Sequence, residues 1–325
     1  YFGFHVYFAG DLSTFQADLK RARPTVFISV PRLWTKFYLA INEKISPRKQ
    51  RILFHLPIVS RLLKRKILQE MGLDHVHTAA TGSAPLPPHV IQWYRDLGLE
   101  LLEAYAMSED FGVSHANRPG QVRVGYVGVP APGVEARVDD DGEVLVKSPG
   151  KMLGYYKLPE LTRDSFTPDG YFRTGDRGEY DPQGRLKITG RVKELFKTSK
   201  GKYVAPVPIE NKLGVHPKLE VSCVTGPGQP QPFALLMLSL EAQKERAGGG
   251  NRDTLNREFE ALLGQVNATL EDHEQLDYLV VVKDQWTMEN GYLTPTMKIK
   301  RNIIEERYLP RADGWLAERR KLIWE

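Results

Sequence analysis

One cysteine in 325 residues, Cys223, rules out an intramolecular disulfide; it reads as a small buried hydrophobe. No stretch nears the roughly 18–20 consecutive apolar residues of a membrane-crossing helix. The longest apolar runs, "FALLMLSL" (233–240) and "YLVVV" (278–282), have the length of strands. Also missing are the phosphate cradles G-x-x-x-x-G-K-[ST] and G-x-G-x-x-G, and the G-x-S-x-G nucleophile elbow, since "TGSAP" at 81–85 is in the wrong frame. The eight histidines never join cysteine or carboxylates at zinc-like spacing; His75 and His77 read as one polar strand face. The charge imbalance is small, 45 basic against 40 acidic residues for a net +5. That favours small anionic partners and falls short of a nucleic-acid surface. The opening "YFGFHVYFAGDL" has neither an initiator Met nor a basic leader segment, so it reads as an internal start of a fragment.

What is present is ordinary globular material, 41% hydrophobic and 26% charged, long enough for two domains. "PTVFISV" (24–30) reads as a strand. After it, Pro31 suits the first turn of a helix in which Leu33, Phe37 and Ile41 recur every four residues. The basic run "RLLKRKILQEMG" should end its helix at Gly72. "HVHTAATGSAPLPP" reads as a strand entering a Gly/Pro loop, and "PHVIQWYRDLGLELLEAYAMSED" as helix, Gly turn, strand and loop. Strands alternating with helices argue for a largely parallel sheet. From about residue 120 the texture changes to hairpins, one around Asp141-Gly142 and one around "DPQG" (181–184). Beyond "GRVKELFK" (190–197) a second unit holds strands near 219–225, 233–240 and 278–282. It also holds a helix marked by Leu255, Phe259, Leu262, Leu263, Val266 and Leu270, and a helix opening near "MKIKRNIIEERY". "AGGGNRD" (247–253) reads as a flexible surface loop.

Polar segments in loops and turns punctuate this frame: "ATGSAPLPP" (80–88), "EAYAMSED" (103–110), "YFRTGD" (171–176), "GRVKELFKTSKGK" (190–202) and "LTPTMKIKR" (293–301). Taken singly, each has an ordinary reading. Asp176 after Thr174-Gly175 can cap backbone N–H groups in a turn, or hold two neighbouring hydroxyls with its two oxygens. Lys298 can be one charge of a solvated "KIKR" run, as Lys300 and Arg301 are read to be. The run "RLLKRK" (61–66) suits anionic headgroups and a solvated helix face equally well.

In this order and at these separations, the segments resemble the adenylate-forming (AMP-binding) superfamily. The "GRVKELFKTSKGKYVAPVPIEN" and "LTPTMKIKRNIIEERY" stretches are most similar to its bacterial-type long-chain fatty-acid–CoA ligases. The resemblance implies an α/β fold of the acyl-adenylate-synthetase type. An incomplete large domain would span 1–190, with an α/β sheet over 1–118 and a β-rich subdomain over 119–190. A small mobile α+β domain would span 191–325, with its hinge near Lys193. It implies ATP-dependent activation of a long-chain fatty acid to an acyl-adenylate, then transfer to CoA, with Mg²⁺ on the phosphates. Partners would be these small molecules rather than nucleic acid, and the site cytoplasmic with a peripheral contact to a membrane.

By the same resemblance, Lys298 is the catalytic lysine, Ser108 the hydroxyl at the phosphate and Glu109 the Mg²⁺ ligand. Tyr105 stacks on adenine, Asp176 and Arg191 hold the ribose, and Gly82, Ser83, Ala84 and Pro85 line the adenine and acyl pocket. Lys197, Lys200 and Lys202 lie where the family faces CoA, and read equally well as solvated lysines at a strand edge. Two departures stand out. Ala104 and Ala106 replace the family's two glycines, which brings strain of roughly 1–2 kcal/mol if either has positive φ, or a narrowed pocket. The Gly/Ser/Thr-rich phosphate-gripping loop has no match ahead of residue 80. The alternatives are a ligase for aryl or medium-chain acids, against which "TPTMKIKR" argues, and a non-catalytic nucleotide- or acyl-binding remnant.

Overall fold

The computed structural model describes residues 3–11, 14–247, 252–294 and 297–325; part of the "AGGGNRD" loop, and Pro295-Thr296, lie outside them. The chain divides into two compact units, residues 1–174 with 178–188, and residues 175–177 with 189–325.

In the first unit, β1 (Val26–Ser29), β2 (Thr78–Thr81) and β3 (Leu101–Tyr105) pair in parallel. Two short strands, β4 (His115–Ala116) and β5 (Val129–Pro130), continue the sheet antiparallel. Parallel pairing demands crossovers, and helices supply them: α1 (Phe15–Ala22), α2 (Pro31–Lys44), α3 (Pro47–Phe54), α4 (Pro57–Met71) and α5 (Pro88–Leu97). Four of these helices open on proline, whose missing N–H costs nothing in a first helical turn. The expected α2 face is buried at Phe37 and Ile41, and Trp34, one position round from Leu33, is its deepest residue. The Trp34 ring meets Phe27 and Tyr94 edge-on, joining strand to helices. Helix α4 ends at Gly72 (φ 75°), where a Cβ would sit 2.8 Å from the Leu19 carbonyl carbon, so only glycine fits there.

Strand β1 forms one edge of this sheet and leaves Val26 and Ile28 exposed; Phe4, Val6, Tyr7 and Phe8 are exposed as well. The reading of His75 and His77 as a strand face is corrected. Strand β2 begins at Thr78, and both histidines lie in the turn before it, with Arg23 bonded to Asp74 and to His75.

The hairpins fall where their turn residues place them. Strands β6 (Glu135–Val138) and β7 (Glu143–Lys147) are antiparallel around Gly142 (φ 81°). They form one sheet with β8 (Phe172–Tyr180) and β9 (Leu186–Arg191), whose connecting turn closes through Asp181. Helix α6 (Pro159–Asp164) precedes β8. The division between the two units runs through β8 and β9.

The second unit is built on alternation. After the short pair β10 (Phe196–Lys197) and β11 (Tyr203–Val204) and helix α7 (Pro206–Leu213), a four-stranded sheet runs in the order β12 (Leu219–Thr225), β13 (Phe233–Leu238), β14 (Leu279–Val281), β15 (Leu322–Trp324). Ala234, Leu236 and Leu238 face α7 and α9 (Arg252–Asn267), together with Leu255, Phe259, Leu262, Leu263 and Val266. Phe233, Leu235 and Met237 face α10 (Arg301–Tyr308) and α11 (Ala312–Ala317), with Trp286, Tyr308 and Trp315. A strand covered on both faces must be apolar throughout, which explains the unbroken run "FALLML". Helix α8 (Leu240–Ala247) follows β13.

Candidate active site

The first unit gathers its candidate residues where β2 and β3 end, the edge at which open α/β sheets bind ligands. Beyond Thr81 the chain turns through Gly82, Ser83, Ala84 and Pro85. Ser83 takes φ 71°, and a Cβ on Gly82 would lie 3.1 Å from the Ala104 carbonyl oxygen. This loop therefore passes close over β3. Tyr105 ends β3, paired with His115 across the sheet, its ring 6.1 Å from the His115 ring.

After Tyr105 the chain winds into a single 3-10 turn, Ser108–Asp110. Asp110 holds it: its Oδ1 accepts the N–H groups of Met107 (3.0 Å) and Gly112 (3.1 Å). Burial pushes the Asp110 carboxyl up against the pull of those bonds. From the far side, the Met152 N–H donates to the Glu109 carbonyl at 2.7 Å and the Tyr155 hydroxyl to Glu109 Oε1 at 3.0 Å. Burial and this Glu109 carboxylate both raise the Tyr155 phenol. The outcome is that Ser108 is exposed and Glu109 half-exposed on a turn fastened from both sides.

Among the described residues of this unit, four buried polar atoms have no hydrogen-bond partner: Trp34 Nε1 in α2 and, toward the sheet end, Thr81 Oγ1 at the end of β2, Asp110 Oδ2 and Asn117 Oδ1. Buried polar groups are otherwise paired in folded proteins, so orphans along one sheet end mark a place built for something else. Ala104 and Ala106 bring no strain. Neither has positive φ, and Ala104 sits within β3 opposite Ala116. What remains of the glycine departure is the added methyl groups.

Beneath Tyr105 lies a polar chain that the sequence does not announce. The His115 ring contacts Ser114 Oγ through Nδ1 and the Tyr180 hydroxyl through Nε2, each at 2.8 Å. Burial lowers His115 to about 4, so the imidazole is neutral, and raises Tyr180 to about 12. Glu103, two residues before Tyr105, is 5% exposed, and burial raises it to about 7 against the opposing bond from the Gly125 N–H. Sixty-five positions separate His115 from Tyr180, and no sequence motif links them.

In the second unit, Asp176 lies in the middle of strand β8 and not in a turn; Gly175 before it takes φ 72°. Arg191 Nε donates to Asp176 Oδ1 at 3.0 Å, so the two residues assigned to a ribose are neighbours. Arg191 also stands 3.9 Å from Glu194. Lys193 is exposed in the single turn Val192–Glu194. Lys197, Lys200 and Lys202 are exposed on and around the β10–β11 hairpin, whose turn closes from the Gly201 N–H to the Thr198 carbonyl. Lys298 is exposed on a hairpin of its own. Leu293 bridges Ile299, the Thr294 N–H donates to the Lys298 carbonyl (2.8 Å), and the Lys298 N–H donates to Thr294 Oγ1 (3.0 Å).

Arg301 departs from its reading as a solvated charge. Its side chain is only 10% exposed at the start of α10, donating to the Val224 carbonyl (2.8 Å) and paired with Glu210 (2.8 Å), with Glu194 at 3.7 Å. Burial alone would loosen the guanidinium proton, but the Glu210 carboxylate facing it holds it tighter than usual. Glu210 in turn accepts the Val224 N–H at 2.7 Å. Cys223 is fully buried as expected, and burial pushes its thiol well up.

Residues 1–156 match the AMP-binding enzyme family, and residues 194–316 match the AMP-binding enzyme C-terminal domain. Among curated proteins, the chain is 31% identical to a long-chain-fatty-acid–CoA ligase (FadD15) of Mycobacterium bovis over 93% of this chain and 56% of the relative. It is 30% identical to mouse long-chain-fatty-acid–CoA ligase 5 over 91% of this chain and 49% of the relative. The chain thus spans about half the length of the curated relatives it matches. Among solved structures, the adenylation domain of a carboxylate reductase from Mycobacterium chelonae superimposes with a TM-score of 0.75 at 25% identity, over 95% of this chain and 49% of that one. With an AMP-binding enzyme match over residues 1–156, its C-terminal domain over 194–316, and the fold of an adenylation domain, this chain belongs to the AMP-binding enzyme family.

Proposed function

We propose that this chain is part of an acid–CoA ligase that uses ATP to activate a long-chain fatty acid as its adenylate and then passes the acyl group to CoA. The observation that carries the reading is the turn at Ser108–Asp110. Its exposed Ser108 and half-exposed Glu109 are held at the end of β3 beside three orphaned buried polar atoms. The long-chain substrate rests on the relatives named above.

In this reading the domains divide at 190/191. The Tyr105 ring stacks on adenine, the loop from Gly82 to Pro85 lines the pocket, and Asp176 with Arg191 grips the ribose diol. A carboxylate oxygen of the fatty acid attacks the α-phosphorus, the bond to pyrophosphate breaks, and Lys298 stabilises the charge that develops on the phosphoryl oxygens. The C-terminal domain then turns about Lys193, and the CoA thiolate attacks the acyl carbon and expels AMP. Lys197, Lys200 and Lys202 face CoA in that second step. The Ser108 hydroxyl donates to the phosphate.

Mg²⁺ fits the donor set. Glu109 offers one half-exposed carboxylate beside exposed Ser108, and Mg²⁺ is commonly held by one or two carboxylates with substrate phosphates. Glu109 would hold it; bound, it supplies charge neutralisation on the phosphates. The same reading puts the protein in the cytoplasm in peripheral contact with a membrane. Among the described residues no helix is long and apolar enough to cross one. The phosphate-gripping loop belongs, on this reading, to the portion of the relatives' length that this chain does not span.

Palmitate-dependent exchange of pyrophosphate into ATP tests the proposal, on the 325-residue chain and on a longer form carrying the upstream gene sequence. Exchange in the longer form that Lys298→Ala abolishes is expected. Absence of exchange across acyl chain lengths would overturn the reading and leave a nucleotide- or acyl-binding protein.

A further inference from the structure

Residues 47–69, which span α3 and nearly all of α4, contain seven Lys or Arg and no Asp or Glu. The two helices pack on each other as a hairpin, and α4 also packs on α1 and α5. The buried side is accounted for: Gln50 and Ile67 are buried, with Leu63 half-buried against the core of the first unit. The outer side is not. Ile58 is 78% exposed, Ile52 and Leu62 each 66%, and Leu56 and Val59 are exposed beside them. Six of the seven cations (Arg48, Lys49, Arg51, Arg61, Arg65 and Lys66) are exposed along the same two helices.

Solvation alone explains cations on a helix face; it does not explain five bare aliphatics among them. An apolar tip flanked by cations is the pattern of a surface that lies in the headgroup layer, aliphatics toward the acyl chains and ammonium or guanidinium groups at the phosphates. We propose that the α3–α4 hairpin docks this protein onto an anionic membrane surface, with Ile52, Leu56, Ile58, Val59 and Leu62 entering the interface. A second copy of the chain is disfavoured there, since face-to-face pairing would oppose cation to cation. A protein partner would need an acidic face of matching extent. The proposal names the surface for the membrane contact of the reading above and rests on that contact, not on the chemistry, so the two fail independently.

Co-sedimentation of the full chain with vesicles tests it, using phosphatidylcholine alone and phosphatidylcholine with phosphatidylglycerol. Binding is expected to the anionic vesicles, to weaken with rising salt, and to be at least tenfold lower on the neutral ones. Arg61→Gln with Arg65→Gln should lower vesicle affinity by about 25-fold, roughly fivefold per cation removed. Leu62→Asp should abolish binding with an unchanged melting temperature, because Leu62 is outside the core. The salt and lipid dependence of the unmodified chain needs no variant and guards against misfolding. Equal binding to both vesicle types, unaltered binding by the variants, or a dimer that Leu62→Asp splits without any vesicle binding would each overturn the proposal.

Discussion

The segments 103–115 and 293–301 carry most of the proposed chemistry on opposite plans. In the first, exposed Ser108 and half-exposed Glu109 stand on a buried polar frame: Glu103, Asp110, Ser114 and His115 are all at most 5% exposed. In the second, Lys298 stands on a small hairpin closed by its own backbone and Thr294, and the mostly buried charge, Arg301, lies at its end. A group that must sit against bound nucleotide gains from a frame that cannot relax, since misplacement of an ångström is costly in catalysis. On the proposed mechanism Lys298 arrives with a moving domain, and such a lysine needs only a hairpin rooted at one firm point. Arg301 supplies that root.

The comparison can be broken experimentally, first at the root. Arg301→Ala should cost about 3–5 kcal/mol in denaturant unfolding of the second unit, because it leaves Glu210 charged, buried and unpaired. A loss under 1 kcal/mol would show that the pair is replaceable and the hairpin rooted elsewhere.

Next comes the frame. A Glu titrates near 4.3 in an unfolded chain and Glu103 near 7 in this fold, so the folded state holds its proton more tightly. Its contribution to stability is therefore complete below about 4.3 and is lost as pH rises through 7. His115 works in the opposite direction: its folded value of about 4 is depressed, so its contribution is present above about 6.5 and lost as pH falls toward 4. Glu103→Gln isolates the first effect. Relative to the unmodified chain, its unfolding free energy should gain about 3 kcal/mol between pH 4 and pH 7.5. A flat difference across that range would place Glu103 in water.

Two smaller effects complete the contrast. Ala104→Gly should destabilise by about 0.5–1 kcal/mol, since a glycine in a strand adds chain entropy and relieves nothing at a residue that is not strained. A stabilised variant would mean that the methyl group clashes after all. Lys298→Ala should shift the melting midpoint by no more than about 0.5 kcal/mol equivalent, as for other exposed positions. That silence in stability, set against the loss of exchange, separates the exposed lysine from Arg301 three residues later.

Much of the frame was legible from local chemistry. Pro31 and the four-residue spacing marked α2, Gly72 closed α4, and the Asp-Gly and "DPQG" turns placed two hairpins. Helix α9 followed its apolar stripe from Leu255 to Val266, with Leu270 packed just beyond its end. The polar segments were visible because loops that bind nucleotides carry glycine, hydroxyl and carboxylate residues in clusters. Less legible were residues whose partners are distant in the chain. Strand β15 and helix α11 are short and acquire their character from the sheet and core they join. The turn reading around Asp176 failed because Gly175 marks a local φ within a strand.

The run "KIKR" contains both outcomes. Sequence by itself determined that the 298–301 run is cationic and stands where a helix opens, because charge and helix periodicity are local properties. Only the tertiary structure decided that Lys298 faces solvent while Arg301 is largely withdrawn from it against Glu210 and Val224. The same holds at Tyr105: its position at a strand end follows from the flanking residues, whereas the His115–Tyr180 pair beneath it exists because folding closes sixty-five residues of chain. Burial and its effect on a charge depend on what the rest of the polypeptide brings to the spot, and no local pattern encodes that.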